Sequence, residues 1–155
     1  MNSNPVLEVM RRAYAMLDRV PLSLPLLVAR VATFSVFLRS GLVKLSDWSG
    51  TLMLFRDEYK VPVIPYEAAA YMAASMELGC STLILLGLLT RVSVIGLFGM
   101  IATIQIFVYP TAWPDHIQWT GFMLFVLLRG PGAISMDHLI AKRLRASPKA
   151  GGVAA

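Results

Sequence analysis

The chain has 155 residues, of which 57% are hydrophobic and 15% are charged. A soluble domain is typically about 45–50% apolar and about 25% charged, so this composition, gathered into long apolar runs, excludes an ordinary soluble domain and indicates an integral membrane protein. The formal net charge of +5 is typical of basic segments on the cytoplasmic side of a membrane, and we predict no nucleic-acid partner from it.

The residue pattern divides the chain into three segments. In residues 1–21, apolar side chains recur at helical spacing, which predicts an amphipathic helix along the inner membrane surface. Residues 22–134 hold the apolar runs and form the predicted transmembrane domain. In residues 135–155, Ser135 is a typical N-cap for a short basic helix, and the small polar residues from Ala146 onward predict a disordered tail.

The first predicted span covers residues 22–42 and contains two arginines. Arg39 lies near the outer end, where its long side chain can carry the guanidinium to the lipid headgroups. Arg30 lies about 12 Å deep at the helical rise per residue and has no such exit. Because a helix turns by about 100° per residue, Gly41 and Lys44 fall on or near the helical face of Arg30.

Residues 45–65 connect the first two spans. Within them, residues 49–59 combine a short apolar patch with charged side chains. This predicts an amphipathic or re-entrant helix at the outer surface, closed by Pro62 and Pro65. A lid over a binding site is the alternative interpretation.

The second predicted span, residues 66–89, is rich in small residues that let neighbouring helices approach closely. It carries a carboxylate, Glu77, near its middle. A charge at that depth costs roughly 2.5–3.5 kcal/mol on insertion scales, so Glu77 needs a partner, a proton or a function. The third span, residues 92–109, follows a tight turn and carries Gln105.

The fourth predicted span, residues 117–128, is short and ends at Arg129-Gly130-Pro131-Gly132, while His116 precedes it on a predicted outer loop. Nine lysines and arginines lie in the amino-terminal segment, the turn at Arg91 and the carboxy-terminal segment, against three in the two opposite loops. This asymmetry predicts antiparallel spans with both termini in the cytoplasm.

Arg30 is the predicted partner of Glu77. Counted along adjacent antiparallel helices, Arg30 lies about 12 Å and Glu77 about 14 Å from the inner boundary of the hydrocarbon, so the two charges should form a buried ion pair. Such a pair can be structural, a proton relay or the polar wall of a ligand pocket. The predicted ligand-binding residues are Arg30, Lys44, Glu77, Gln105 and His116.

A copper site is an alternative for the sulfur-containing residues, because thioether and thiolate ligands suit Cu(I). The candidates are Met72, Met76, Met100, Met123, Cys80 and His116. Since the methionines lack a tight spacing and methionine is ordinary filler in apolar helices, we predict no metal site. The single cysteine excludes a disulfide or a CxxC redox pair within the chain.

Several short motifs follow one another in a fixed order across residues 25–140. They are Arg30, Gly41 and Lys44, then Glu77-Leu78-Gly79, then Leu86-Gly87-Leu88-Leu89-Thr90-Arg91, then Trp113-Pro114-Asp115-His116 with Trp119, then Arg129-Gly130-Pro131-Gly132 with Ser135-Met136-Asp137. In this order they resemble the DoxX family. The signature positions besides Arg30 and Glu77 are Gly41, Gly79, Arg91, Arg129, Gly130, Gly132 and Asp137.

The resemblance implies a multi-pass protein of the bacterial inner membrane. This agrees with the fold that the spans predict, an all-α, antiparallel four-helix bundle with amphipathic interfacial helices. Relatives in the family include a DoxD-like subunit associated with thiosulfate:quinone oxidoreduction and a maturation protein of methylamine dehydrogenase. Residues 55–62 and 107–110 further resemble members encoded beside enzymes that modify metal-buffering peptides.

The function implied is that of an accessory subunit of a redox or metal/peptide maturation system, in contact with membrane lipid and a protein partner and compatible with an oligomer. A quinone or other apolar ligand near Arg30 and Glu77 would suit that role. No autonomous catalytic set is visible in the sequence. The alternatives are a small-solute or metal-handling protein that uses Glu77, Gln105 and His116, and a purely structural membrane anchor.

Overall fold

The computed structural model describes residues 5–146, and every regular element within that range is helical. The α-helices are α1 (Pro5–Leu17), α2 (Ser23–Ser46), α3 (Trp48–Leu54), α4 (Tyr66–Leu86), α5 (Thr90–Thr103), α6 (Trp113–Arg129) and α7 (Met136–Ala146). One π-helical turn, Phe55–Tyr59, continues α3, and a second, Ile104–Val108, continues α5. The expected all-α class is confirmed, whereas the expected disordered tail lies outside the described residues.

Within residues 5–146, three helices are long and apolar enough to cross a membrane. They are Ser23–Ser46, Tyr66–Leu86 and Thr90–Val108, the last formed by α5 with its π turn. The remaining predicted span corresponds to α6, which has 17 residues and begins at Trp113, earlier than the expected start at residue 117. The apolar helices support the expected contact with membrane lipid.

The helices α2, α4, α5 and α6 contribute to one apolar core. α2 packs against α4 and α6, and α5 packs against the same two helices. Each of the four helices supplies fully buried apolar side chains, among them Leu26, Ile84, Leu97, Met123 and Val126. Burial of such side chains, together with close van der Waals packing, holds the helices in contact.

A glycine lies at the contact between α2 and α4. A Cβ atom at Gly41 would lie 2.7 Å from Leu78 Cγ and 3.3 Å from Glu77 Cβ. Gly41 therefore lets the backbone of α2 approach the part of α4 that carries Glu77.

Replacing Gly41 by alanine is expected to destabilise the protein by about 1–3 kcal/mol, because the added methyl group overpacks the contact with Leu78. Gly79→Ala is the matched control, since no atom lies within 4 Å of the Cβ position of Gly79. The free energy of unfolding, measured by SDS titration in mixed micelles, should fall only for Gly41→Ala. Equal stability of the two variants would contradict the close contact.

The segment between α2 and α4 packs onto α4. Asp47 caps α3, its Oδ1 accepting a hydrogen bond from the backbone N–H of Gly50 at 2.9 Å. Phe55 is buried against Ala69 and Ala70 of α4. The helix expected over residues 49–59 is thus observed as α3 and its π turn, and it covers one end of the α2–α4 pair.

The terminal helices α1 and α7 lie outside the core, and neither buries any residue. Ser135 Oγ accepts a hydrogen bond from the backbone N–H of His138 at 3.2 Å, as expected of an N-cap. Asp137 lies in the first turn of α7, where its negative charge is expected to interact favourably with the helix dipole. It also caps a second helix. Its carboxylate accepts from the backbone N–H groups of Leu89 and Thr90, at 2.9 and 3.2 Å, and so caps the start of α5.

Candidate functional site

A cavity of about 470 Å³ lies between α2, α4, α5 and α6, beneath the segment that follows α3. Its volume falls within the range of about 300–1,000 Å³ that is usual for small-molecule sites. Most of its wall is apolar, including Phe37, Met72, Met76, Met100, Ile104 and Trp119. The polar side chains that border it are therefore the first candidates for function.

Glu77 borders this cavity and is paired with Lys44. The Lys44 Nζ atom lies 2.8 Å from each carboxylate oxygen of Glu77. Ser40 Oγ donates to Glu77 Oε1 at 3.1 Å and accepts from Lys44 Nζ at 3.0 Å. Ser40 and Lys44 are four residues apart on α2, so they lie on one helical face and reach the same carboxylate. Glu77 is only 3% exposed, and this pairing makes its burial tolerable.

The predicted ion pair between Arg30 and Glu77 is wrong. The Arg30 guanidinium donates to the carbonyl oxygens of Ile84 at 2.7 Å, Pro131 at 3.0 Å and Ile134 at 2.6 Å, and also to that of Leu85. Arg30 is 2% exposed and does not border the cavity.

The reason for the error is the register between α2 and α4. α2 continues to Ser46, past the expected end at residue 42, and Ser40 is the residue level with Glu77. Arg30 therefore lies about 15 Å lower, beside the end of α4. The last carbonyl groups of a helix have no partner within the helix, and the guanidinium binds two of them.

His116 borders the cavity and is hydrogen-bonded to Gln105. It was expected on a loop, but it lies in the first turn of α6 and is 3% exposed. Its Nδ1 atom is 2.5 Å from Gln105 Oε1, and Gln105 Nε2 donates to the carbonyl oxygen of Pro110 at 2.7 Å. The ring also packs against Trp119, with 5.3 Å between ring centroids. Gln105 thus acts on the cavity through His116, since it does not border the cavity itself.

Two tyrosines join the π turns at one end of the cavity. Tyr109 donates its hydroxyl proton to Glu58 Oε1 at 2.7 Å, and its ring packs edge-on against Tyr59 at 5.5 Å. Partial burial, with hydrogen bonds to Tyr59 and Glu58, raises the pKa of the Tyr109 hydroxyl far above its usual value. Sequence reasoning missed this contact, because helical periodicity gives no sign of a π turn.

Among the residues that border the cavity, one on α4 and one on α5 are exposed. Met72 borders the cavity and is 50% exposed. Gly99 also borders it, is exposed, and has no atom within 4 Å of its Cβ position. Both residues belong to helices that are apolar enough to cross a membrane.

Only some of the sulfur-containing residues border the cavity. Met72, Met76 and Met100 border the cavity with His116, whereas Met123 lies in the core and Cys80 is outside the lining. Within residues 5–146, no group of three or more His, Cys, Asp or Glu side chains is placed to hold a metal ion.

The other signature positions lie mostly at the end of the molecule occupied by Arg30. Gly132 has a positive φ of 83° and lies against Ser23, where a Cβ atom would come within 3.2 Å of the Ser23 Cα. Arg91 Nε donates to the carbonyl oxygen of Leu127 at 3.1 Å. Asp137 caps α5 as described above. These contacts are structural, and none of the residues borders the cavity.

The sequence motifs of this chain can be compared with known proteins. A family model described as DoxX matches residues 25–110, a range that includes Arg30, Lys44, Glu77 and Gln105. No curated protein and no solved structure matches the chain.

Proposed function

The chain belongs to the DoxX family of membrane proteins, and from this premise we propose that its cavity binds a small apolar ligand with a polar end, such as a quinone. In this proposal the ligand enters from the lipid between α4 and α5, where Met72 and Gly99 border the cavity and are exposed. The observation that carries the proposal is a cavity of about 470 Å³ that is mainly apolar and has Lys44, Glu77 and His116 in its wall.

The proposed membrane arrangement is an antiparallel bundle of α2, α4, α5 and α6 in a bacterial inner membrane. The helix α6 is about 26 Å long at the helical rise per residue, close to the hydrocarbon thickness of about 30 Å. The distribution of basic residues supports cytoplasmic termini. The helix α1 would lie along the inner surface, because it is amphipathic and its apolar side chains Leu7, Met10, Tyr14 and Leu17 are exposed.

The proposed role is that of an accessory subunit of a redox or maturation system rather than an autonomous enzyme. Glu77 is already engaged by Lys44 and Ser40, so it is poorly placed to act as a general base. A protein partner would supply the chemistry, while this chain holds the ligand at a defined depth in the membrane. We propose that the protein partner and the membrane lipid both contact the outer surface of the helix bundle.

The test uses the full chain with Trp119 as its only tryptophan, obtained with Trp48→Phe and Trp113→Phe. Because Trp119 borders the cavity, decylubiquinone should quench its fluorescence in a saturable manner. Gly99→Phe is expected to weaken binding roughly tenfold or more, equivalent to about 1.4 kcal/mol, because the phenyl ring would obstruct the proposed route of entry.

Gly79→Phe is the matched control for this experiment. Gly79 is exposed on α4, has open space at its Cβ position and does not border the cavity. Its variant should bind decylubiquinone like the parent protein. Quenching that does not saturate, or equal binding by the Gly99→Phe and Gly79→Phe variants, would contradict the proposed site and its route of access.

A further inference from the structure

The tautomer of His116 is determined by its neighbours. Gln105 Nε2 donates to the Pro110 carbonyl at 2.7 Å, and a carbonyl oxygen can only accept, so the amide nitrogen of Gln105 must face Pro110. The amide oxygen then faces His116 Nδ1 at 2.5 Å. Since an amide oxygen also only accepts, Nδ1 must carry the proton. In the neutral imidazole, Nε2 is left with a lone pair.

The Nε2 atom of His116 opens onto the cavity. It has no hydrogen-bond partner among the described residues, and in this part of the chain no fully enclosed side-chain nitrogen or oxygen lacks a partner. Nε2 is therefore not enclosed by protein atoms. His116 as a whole is 3% exposed and borders the cavity, so the free space at Nε2 is the cavity.

The donor groups of two other polar side chains in the cavity wall, Lys44 and Thr103, are occupied within the protein. The three protons of the Lys44 ammonium are directed to the two Glu77 oxygens and to Ser40. Thr103 Oγ1 donates to the carbonyl oxygen of Gly99 at 2.9 Å. His116 Nε2 is thus a hydrogen-bond acceptor that a ligand in this cavity can reach, and it stands in mainly apolar surroundings.

We propose that His116 Nε2 accepts a hydrogen bond from a hydroxyl group of the ligand, so that the cavity selects a quinol or phenol over the corresponding quinone. This proposal rests on the proposed function and specifies the ligand class of the same site. A quinone carbonyl opposite Nε2 would bring two acceptors together and leave both without a donor, which is costly in a buried site. Gln105 is a positioning residue in this arrangement, because it acts only through the tautomer of His116.

The tautomer is tested directly by NMR of the full chain labelled with ¹⁵N-histidine. The sequence has two histidines, and His138 is exposed on α7, so its signal provides an internal reference. The neutral ring of His116 should show a protonated Nδ1 and a lone pair on Nε2. In the Gln105→Leu variant the restraint is lost, and the ring should shift toward the Nε2-protonated form. A wild-type His116 protonated on Nε2 would overturn the proposal.

Ligand selectivity is tested with trimethylhydroquinone and trimethylbenzoquinone, which share one ring and differ in donor and acceptor groups. Their binding to the detergent-solubilised full chain is compared by native mass spectrometry without oxygen. The quinol should bind about tenfold more tightly than the quinone, since one buried hydrogen bond separates them. The ratio should fall to about one in His116→Phe and in Gln105→Leu, and should be unchanged in the control variant His138→Phe.

The outcomes distinguish this inference from the proposed function. Equal binding of both probes to the wild-type protein, or a ratio that survives both His116→Phe and Gln105→Leu, would overturn the inference while leaving a ligand cavity in place. Binding of neither probe would overturn the proposed function and the inference together. Because Gln105→Leu retains the histidine, it tests the proposal even where His116→Phe fails to fold.

Discussion

Replacing Arg30 by methionine is expected to lower the free energy of unfolding by about 3–5 kcal/mol, because hydrogen bonds from a charged donor to buried carbonyl groups contribute about 1.5–3 kcal/mol each. The guanidinium binds carbonyl oxygens at the end of α4 and, through Pro131 and Ile134, the segment before α7. Methionine would fill much of the space and donate nothing. The carbonyl groups of Leu85, Pro131 and Ile134 would lose their guanidinium donor, which is the costly part of the change, whereas that of Ile84 would keep its hydrogen bond from the Gly87 N–H.

The conservative variant Arg30→Lys should recover less than half of this loss. The planar guanidinium carries five N–H donors in a fixed arrangement, whereas an ammonium is a compact charge that reaches fewer of these carbonyls at once. Arg39→Met is the matched control, because Arg39 is an exposed arginine on the same helix.

SDS titration in mixed micelles measures the effect, with far-UV circular dichroism to follow the helices. Arg39→Met should lie within about 0.5 kcal/mol of the wild-type protein, as surface substitutions usually do. If Arg30→Met proves as stable as Arg39→Met, Arg30 does not hold α4 to the segment before α7.

Replacing Glu77 by methionine is expected to destabilise the protein by about 3–5 kcal/mol, because the Lys44 ammonium would remain in the protein without its carboxylate. Lys44 is more accessible than Glu77, with 14% of its side chain exposed against 4%. In Glu77→Met the Lys44 ammonium can turn partly toward water, whereas Lys44→Met leaves the more deeply buried Glu77 carboxylate without its cation. Lys44→Met should therefore cost at least as much as Glu77→Met. The double variant should be more stable than Glu77→Met.

A double-mutant cycle identifies the partner of Glu77. Lys44→Met and Glu77→Met should show a coupling energy of about 2 kcal/mol, within the range for residues in contact. Arg30→Met and Glu77→Met should be additive to about 0.5 kcal/mol, because distant residues without shared partners do not couple. Strong coupling in the second cycle together with none in the first would restore the ion pair predicted from the sequence and reject the one observed.

The tertiary contacts give several of the family's signature positions a structural role. Arg30, Gly132 and Asp137 stabilise the ends of helices and the turns that join them. The cavity depends on other residues, chiefly Lys44, Glu77 and His116, with Gln105 behind the histidine. Variation in function within this architecture is therefore expected at the cavity wall, while the opposite end maintains the fold.

The transmembrane helices and the main candidate residues of this protein are predictable from the local sequence. Apolar runs of spanning length predict transmembrane helices because the bilayer requires every backbone group to be satisfied within the helix. The insertion cost of a charge marks Glu77 as a residue that needs a partner. Helical spacing places Gly41 and Lys44 on one face of α2, and Gly41 does lie against Glu77. Glu77, Lys44, Gln105 and His116 are identifiable as candidate residues from the sequence alone.

The partners of these residues were decided only in the folded structure. A membrane boundary read from an apolar run does not determine how far one helix slides along another, and each residue of error shifts a side chain by about 1.5 Å. The register follows from the contact at Gly41 and from the carbonyl groups that end α4, which draw Arg30 away from Glu77. The hydrogen bond that orients His116 forms for the same reason, since it joins residues on α6 and the π turn that only packing brings together.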